Sequence, residues 1–384
     1  MGRRALQLLA ASAVLAATGA CDGERQPSES SQPSTSYTYD VPERTDDGLA
    51  TGHLSDHGLD LQRITQLIDG TLDGTYVNIH SVLIVRHGVL VLDEYFPGRD
   101  YDGSYTVWDR DILHTLQSVT KSYNSALVGI AIDQGRIESV DDKISTYLPE
   151  YADIFEGSER DSIRIEHLLA MTAGLYWDEW TYPNDDIRNT NVAMARSPDP
   201  VRYALELPVL APPGTTFRYN SGMAITLGRI VHNATGLEPD EFAEQYLFGP
   251  LGITDYYWYR CSDGTVHTGG GLWLRPRDMA KFGLLFLNGG RWGDEQVVSE
   301  AWVNESVQPH AQAPGVRYGY QWWLDAYRFS GQRIDGYSAR GRGGQYIFVL
   351  PDLDLVAVFT GWNDNEVAAQ AHEMLRDYVL LALR

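Results

Sequence analysis

Lysine is scarce in this chain of 384 residues. Lys121, Lys143 and Lys281 are its three lysines, and the other 27 of its 30 basic residues are arginines. Together they face 52 acidic residues, which leaves a net charge of −22 and disfavours binding to nucleic-acid phosphates or to an anionic membrane surface. Because arginine does not lose its proton near neutral pH, chemistry that needs a neutral amine has three candidate positions.

Cysteine is also rare, with Cys21 and Cys261 as the two examples. This excludes a disulfide framework, and neither a CxxC pair nor a zinc-ligand spacing occurs. The ten histidines form no HExxH motif, and we interpret His53 and His57, four residues apart, as surface or capping side chains. The sequence therefore predicts neither a metal site nor a cofactor.

The most apolar run, residues 5–20, is too short to span a membrane. It follows Arg3 and Arg4 and ends in Thr-Gly-Ala before Cys21, so residues 1–20 are predicted to be an export signal peptide. The small residues before Cys21 resemble a bacterial lipobox, which predicts a lipidated cysteine that tethers the protein to a membrane. Ordinary cleavage would instead release a soluble exported protein. In both cases the mature chain is extracytoplasmic, in the periplasm or cell envelope.

Composition changes twice along the chain. Residues 21–53 are rich in Ser, Pro, Thr, Asp and Gly and are predicted to be a disordered tether. Residues 54–384 are predicted to form one folded domain, with an α/β lobe from about 54–117 and 265–384 and a helical lobe from about 118–264.

Hydrophobic periodicity supports this division. Helices are predicted at 59–72, 118–134, 163–171, 223–235, 278–287 and 366–383, and strands at 81–86, 89–96, 318–324, 345–350 and 355–360. Strands near both ends and helices in the middle favour an α/β (α+β) fold with a mainly helical insert.

Ser118 and Lys121 form the sharpest chemical pattern. Three residues apart at a helix start, they lie on one face, so the amine can reach the hydroxyl. The helix that follows is apolar nearly all round, so it is buried, and burial lowers the pKa of an amine until it can serve as a base. The free N–H groups at the helix start, including the backbone N–H of Ser118, are suited to stabilise an oxyanion.

Two further segments carry candidate site residues. Tyr219, in Phe-Arg-Tyr-Asn-Ser-Gly, could relay a proton to a leaving group. The Gly-rich stretch around Gly341 and Arg342 enters a predicted strand and would let a substrate approach the backbone, although a plain turn has the same composition. Tyr176 and Trp177 are plausible pocket residues, whereas core packing is the ordinary role of such aromatic side chains.

These motifs, in this order, resemble those of the penicillin-recognising serine hydrolases: serine β-lactamases, D-Ala-D-Ala peptidases, and related esterases and amidases. The likeness covers nearly all of 54–384 and is greatest to the class-C-type branch, which includes nylon-oligomer (aminohexanoate-dimer) hydrolases and carboxylesterases. It implies a β-lactamase/transpeptidase-like fold, in which helices flank an antiparallel sheet. It further implies Ser118 as the acylated nucleophile, Lys121 as its base and Tyr219 as the proton relay. Gly341 takes the glycine position of the family's K-T-G motif, and Arg342 then supplies a backbone N–H to the oxyanion.

Two departures from the family pattern favour ester or amide cleavage over β-lactam hydrolysis. Ser221 stands where the family's Y-x-N motif has its Asn, and Ala339-Arg340-Gly341 replaces K-T-G. Arg340 or Arg342 could restore the missing charge, or both could point to solvent. The predicted function is an exported serine hydrolase acting on small ester or amide substrates. A D-Ala-D-Ala peptidase or weak β-lactamase, and a penicillin-binding sensor that stays acylated, are the alternatives.

Overall fold

The computed structural model describes residues 36–363, 367 and 369–384. The predicted signal peptide, Cys21 and the first part of the predicted tether lie outside the described residues, as does the first residue of the predicted C-terminal helix. Within the described part of the chain, no helix combines the length and the apolar character needed to cross a membrane.

A nine-stranded sheet forms the centre of the domain. Its strands, in spatial order, are β1 (Ala50–Thr51), β3 (Val89–Tyr95), β2 (Ile79–Arg86), β16 (Leu355–Gly361), β15 (Gln345–Leu350), β14 (Gln332–Gly341), β13 (Trp323–Phe329), β12 (Val316–Tyr318) and β11 (Ala311–Ala313). All neighbours are antiparallel except β1 and β3. The sheet therefore confirms the predicted antiparallel architecture and joins early strands of the described chain, β1 to β3, to its last strand, β16.

Shorter strands lie outside this sheet. A second sheet has the order β6 (His114–Thr115), β8 (Leu272–Leu274) and β7 (Tyr257–Trp258), and two hairpins are formed by β4 (Gly98–Arg99) with β5 (Tyr105–Thr106) and by β9 (Arg291–Trp292) with β10 (Glu295–Gln296).

Helices cover both faces of the large sheet. They are α1 (Leu61–Leu72), α2 (Thr120–Asp133), α3 (Ala152–Phe155), α4 (Ile165–Leu169), α5 (Thr190–Ala195), α6 (Pro200–Glu206), α7 (Ser221–Thr235), α8 (Pro239–Ala243), α9 (Pro276–Leu287), α10 (Glu300–Ser306) and a C-terminal helix through Gln370–Met374, a π-helical turn at Leu375–Val379 and Leu380–Ala382. One face packs against α1 and the C-terminal helix, and the other against α9 and the helical region that includes α2 and α7. The strands β15 and β16 are buried along their whole length because both of their faces are covered.

The predicted strand at 318–324 is wrong. Its middle is a turn, in which the Gly319 N–H donates to Trp322 O, and β12 and β13 lie on either side of it. A Cβ on Gly319 would lie 2.2 Å from Ser306 O, so this turn depends on a close approach that strand propensity does not reveal. Strand β14 was missed because its polar first half carries no apolar run.

Packing begins at Tyr37, well before the predicted domain start at Leu54. The Tyr37 backbone N–H donates to Asp69 Oδ1 at 2.7 Å, and Arg277 Nε lies 2.6 Å from Asp47 Oδ2. The second half of the predicted tether is thus ordered, a correction to the sequence analysis. Its polar residues form ion pairs and hydrogen bonds with residues of the domain, and such contacts cannot be predicted from composition alone.

Candidate active site

Ser118 lies in a single 3₁₀ turn directly before α2. Gln117, the residue before it, has a left-handed backbone with φ of 47°. Two contacts hold this turn: Thr120 Oγ1 donates to Gln117 O at 2.6 Å, and the Leu116 N–H donates to Leu272 O of β8 at 2.9 Å. A strained residue fixed from both sides presents the Ser118 side chain at the wall of a cleft.

Lys121 meets Ser118 as the three-residue spacing predicts. Its Nζ lies 3.0 Å from Ser118 Oγ and 2.9 Å from Ser221 Oγ, and it also donates to the Gly269 carbonyl. The Lys121 side chain is 1% exposed. Burial lowers the pKa of its amine from 10.5 to about 8, and the nearby Glu179 carboxylate acts in the opposite direction.

The partners of Lys121 limit its lone pair, once the amine is neutral, to one of two directions, toward Ser118 Oγ or toward Ser221 Oγ. A neutral amine has two hydrogens and one lone pair, and the Gly269 carbonyl can only accept a hydrogen bond. With the second hydrogen on Ser221 Oγ, the lone pair faces the hydroxyl of Ser118. In that arrangement Lys121 can accept the hydroxyl proton of Ser118.

Glu179 is a site residue that sequence reasoning missed. Its Oε2 accepts hydrogen bonds from Trp177 Nε1 at 2.5 Å and from the backbone N–H of Ser221, at the start of α7, at 3.2 Å. A carboxylate at a helix N-terminus is favoured by the helix dipole. Glu179 lines the cleft and is placed there by a loop, so no periodic pattern in the sequence marks it.

Tyr219 packs against Lys121. The Lys121 Nζ is 4.8 Å from the centroid of the Tyr219 ring, which also stacks on Trp323 at 5.8 Å. Burial raises the pKa of the Tyr219 hydroxyl well above its usual value, and interaction with Ser118 opposes this rise. Tyr219 is thus a neutral phenol, which can donate or relay a proton. The next residue, Asn220, caps α7 by accepting from the Met223 N–H at 3.2 Å.

The end of β14 passes close to the Ser118 turn. A Cβ on Gly341 would lie 2.3 Å from Leu116 O, so glycine is required for this approach. Arg342, which follows, lines the same cleft as Ser118. Arg340 does not enter the cleft lining, because its guanidinium is paired with Asp325 and its Nε donates to Ser338 Oγ at 2.9 Å.

The cleft has a volume of about 950 Å³ and reaches from Ser118 to the surface. Its aromatic lining consists of Tyr101, Trp180, Tyr257, Tyr259, Trp273 and Trp362. The predicted pocket residues Tyr176 and Trp177 are not part of it. Tyr176 lies outside the cleft, and Trp177, 3% exposed, packs behind it and donates to Glu179. These two residues were predicted because they directly follow segment 171–175, and their position in the sequence did not show that neither lines the cleft.

His267 also lines the cleft, and it lies two residues before Gly269, whose carbonyl accepts a hydrogen bond from Lys121. Burial lowers the pKa of its imidazole to about 4, with a further contribution from Lys121, so the ring is neutral at pH 7. Within the described residues, no group of three or more His, Cys, Asp or Glu side chains is arranged to hold a metal ion.

The sequence matches one family model and resembles a hydrolase of known name. The family model described as Beta-lactamase matches residues 65–380. A 6-aminohexanoate-dimer hydrolase from Paenarthrobacter ureafaciens is 29% identical over 306 residues, which cover 74% of each chain.

Solved structures resemble the fold. EstCE1, described as a hydrolase with promiscuous acyltransferase activity, has a TM-score of 0.68 at 18% identity and covers 83% of this chain and 98% of its own. The octameric penicillin-binding protein homologue from Pyrococcus abyssi has a TM-score of 0.64 at 18% identity, over 82% of this chain and 76% of its own. At these identities the likeness shows the fold, and it confirms the predicted β-lactamase/transpeptidase-like architecture.

Proposed function

This chain belongs to the β-lactamase family, as the sequence motifs predicted, and we propose that it is a serine hydrolase that cleaves small esters or amides through an acyl-enzyme on Ser118. The observation that carries the proposal is the state of Lys121. A buried amine with its pKa lowered to about 8 lies 3.0 Å from a serine hydroxyl, which is the arrangement a nucleophile and its base require.

Acylation begins when the neutral amine of Lys121 takes the hydroxyl proton as Ser118 Oγ attacks the substrate carbonyl. The negative charge that develops on the carbonyl oxygen is stabilised by the backbone N–H groups of Ser118 and Arg342. The tetrahedral intermediate then collapses, and its leaving group takes a proton through the neutral phenol of Tyr219. A water molecule deacylates the enzyme by the reverse sequence, and Ser118 recovers its proton.

Two observations, one on a relative and one on this chain, support esters and amides as the substrates. The curated relative from Paenarthrobacter is named for hydrolysis of an aminohexanoate dimer. In addition, the charge of Arg340 is neutralised by Asp325, so this residue does not supply the cation that the K-T-G lysine offers a β-lactam carboxylate in the family. We expect nitrocefin to be a poor substrate by comparison with short-chain esters.

The direct test compares purified protein with its Ser118→Ala variant on 4-nitrophenyl esters. We expect steady turnover by the wild type and its loss, by about 10³-fold or more, in the variant. A single stoichiometric burst of nitrophenol without turnover would support a penicillin-binding sensor instead. Turnover of D-Ala dipeptides or nitrocefin in preference to esters would support the peptidase or β-lactamase alternative.

The lysines provide a matched pair for the base. Lys121→Arg keeps the positive charge but removes the titratable amine, so it should reduce activity by about 10²-fold or more. Lys143→Arg makes the same substitution at an exposed residue, which pairs with Asp161 at 2.7 Å, and it should leave activity unchanged. If Lys121→Arg keeps most of the activity, another group is the base.

The proposed enzyme is exported and acts outside the cytoplasm, tethered to a membrane by a lipidated Cys21. The apolar segment and the small residues before Cys21 support this. Mass spectrometry of the mature N-terminus provides the test: a diacylglyceryl-modified Cys21 supports the tether, whereas an unmodified N-terminus after residue 20 indicates a soluble exported protein.

A further inference from the structure

One side of the catalytic cleft is an uncharged wall of four aromatic side chains. The rings form a chain of near-perpendicular pairs: Tyr257 with Trp273 at 6.3 Å, Trp273 with Tyr101 at 5.4 Å, and Tyr101 with Trp362 at 5.9 Å. Tyr101 and Tyr257 are each 51% exposed although they line a cleft. Large rings left open to solvent in a concave site are typical of a surface that a ligand covers.

The backbone holds this wall close to the reacting atoms. Trp273 lies in β8, where it pairs with Thr115, three residues before Ser118. Trp362 packs so closely on the turn after Arg342 that a Cβ on Gly343 would lie 2.6 Å from its ring. The wall therefore lies on the side of the proposed oxyanion donors.

Tyr101 reaches the wall from the hairpin of β4 and β5. The hairpin is closed by two hydrogen bonds, from the Asp100 N–H to Ser104 O at 2.8 Å and from the Gly103 N–H to Asp100 O at 2.9 Å. Tyr105 lies on the same hairpin and is 66% exposed, but it does not line the cleft. Tyr105 is therefore a matched control for Tyr101: both tyrosines lie on this hairpin, and of the two Tyr101 lines the cleft.

The position of Tyr219 assigns the wall to one half of the substrate. Its ring neighbours are Trp323 and, at 5.8 Å, Trp180, which are not members of the wall. A leaving group protonated through Tyr219 departs on that side. The acyl half of the substrate then lies on the other side, against the wall.

We propose that Tyr101, Tyr257, Trp273 and Trp362 form a subsite for an aromatic acyl group, so that the preferred substrates are esters or amides of arylalkanoic or aryl carboxylic acids. This inference rests on the proposed function and adds a substrate class to it. Flat rings pack on such a wall edge-on or in offset stacks, which gives them an advantage over alkyl chains of equal size. The four side chains of the wall carry no charge, so they offer no counter-ion to a charged acyl group.

The experiment holds the leaving group constant and varies the acyl group. 4-Nitrophenyl 3-phenylpropanoate, nonanoate and acetate are compared by kcat/KM in the wild type, Tyr101→Leu and Tyr105→Leu. We expect the ratio of phenylpropanoate to acetate to fall about tenfold in Tyr101→Leu, with a smaller fall for nonanoate. Tyr105→Leu should keep the wild-type ratios. If the kcat/KM ratio of phenylpropanoate to acetate were the same in Tyr101→Leu and Tyr105→Leu, the subsite would be refuted. If Tyr101→Leu lowered kcat/KM for nonanoate as much as for phenylpropanoate, the subsite would not be selective for aromatic groups.

A binding measurement separates this inference from the proposed function. Ser118→Ala and the double variant with Tyr101→Leu are titrated with methyl 3-phenylpropanoate, with tryptophan fluorescence as the readout. We expect about tenfold weaker binding in the double variant. Such a loss would support the subsite even if no protein form hydrolysed an ester, whereas equal binding by the two variants would contradict it.

Discussion

Replacing Glu179 with Gln should shift the pH dependence of activity toward lower pH. The Glu179 carboxylate favours the charged form of Lys121 and so opposes the effect of burial on the amine. In the proposed mechanism activity requires the neutral amine, so kcat/KM should rise as the pH passes through the pKa of Lys121. With a pKa of about 8, about one tenth of the enzyme is active at pH 7 and half at pH 8.

The structure limits how far the pKa of Lys121 can fall when the Glu179 charge is removed. Glu179 Oε2 lies 3.2 Å from the Ser221 N, and Ser221 Oγ lies 2.9 Å from Lys121 Nζ, so the two charges are separated by roughly 9 Å or less. At an effective dielectric constant of about 20, their attraction is about 2 kcal/mol. Glu179 faces an open cleft, so solvent reduces this to about 1 kcal/mol, or somewhat under one pKa unit.

The assay is the initial rate of 4-nitrophenyl acetate hydrolysis between about pH 6 and pH 10, with Ser118→Ala supplying the background. We expect the midpoint of the rising limb of the pH profile to fall from about 8 toward about 7.3 in Glu179→Gln, with a rise of about fourfold in relative activity at pH 7. Glu138→Gln, at an exposed acidic residue, should keep the wild-type midpoint. An unchanged or higher midpoint in Glu179→Gln would show that this carboxylate does not act on the base. A wild-type profile that falls through pH 8 would refute the role of Lys121.

Two further predictions concern packing. Gly341→Ala should lower kcat about 10²-fold and also lower the unfolding midpoint, because the new methyl group meets the Leu116 carbonyl and displaces the backbone at Arg342, a proposed oxyanion donor; wild-type kinetics in this variant would contradict that geometry. Arg277→Leu should lower the free energy of unfolding in urea by about 3–5 kcal/mol, because it leaves the buried Asp93 carboxylate unpaired, whereas the exposed Arg376→Leu should change it by less than about 1 kcal/mol; similar values for both would contradict the buried network.

The parts of the site that sequence could predict are those set by local geometry. Ser118 and Lys121 lie three residues apart at the start of one helix, so their meeting follows from helix periodicity alone. The buried character of α2 was visible in its apolar residues, and burial is what lowers the pKa of Lys121. The same holds for β15 and β16, whose apolar runs predicted their positions closely.

The parts that sequence could not predict depend on distant segments of the chain. Gly269 accepts a hydrogen bond from Lys121 across 148 positions, and no spacing rule connects them. Tyr101 and Trp362 form one aromatic pair although they are 261 positions apart in the sequence, so neither stands out as a pocket residue there. Tyr176 and Trp177 were chosen by proximity in sequence, and the loop places their rings away from the cleft.

The scarcity of lysine has a structural meaning at one of its three positions. Lys143 pairs with Asp161 at 2.7 Å and Lys281 with Asp278 at 2.9 Å, and each of these contacts is between a cation and a carboxylate. Lys121 instead donates to two hydroxyls and a carbonyl, none of which carries a charge to hold its proton. Burial without a carboxylate in hydrogen-bond contact is the condition that lowers the pKa of an amine, and a guanidinium in that place would keep its proton. The proposed catalytic lysine therefore differs from the equally buried Lys281 in its hydrogen-bond partners, which are two hydroxyls and a carbonyl instead of a carboxylate.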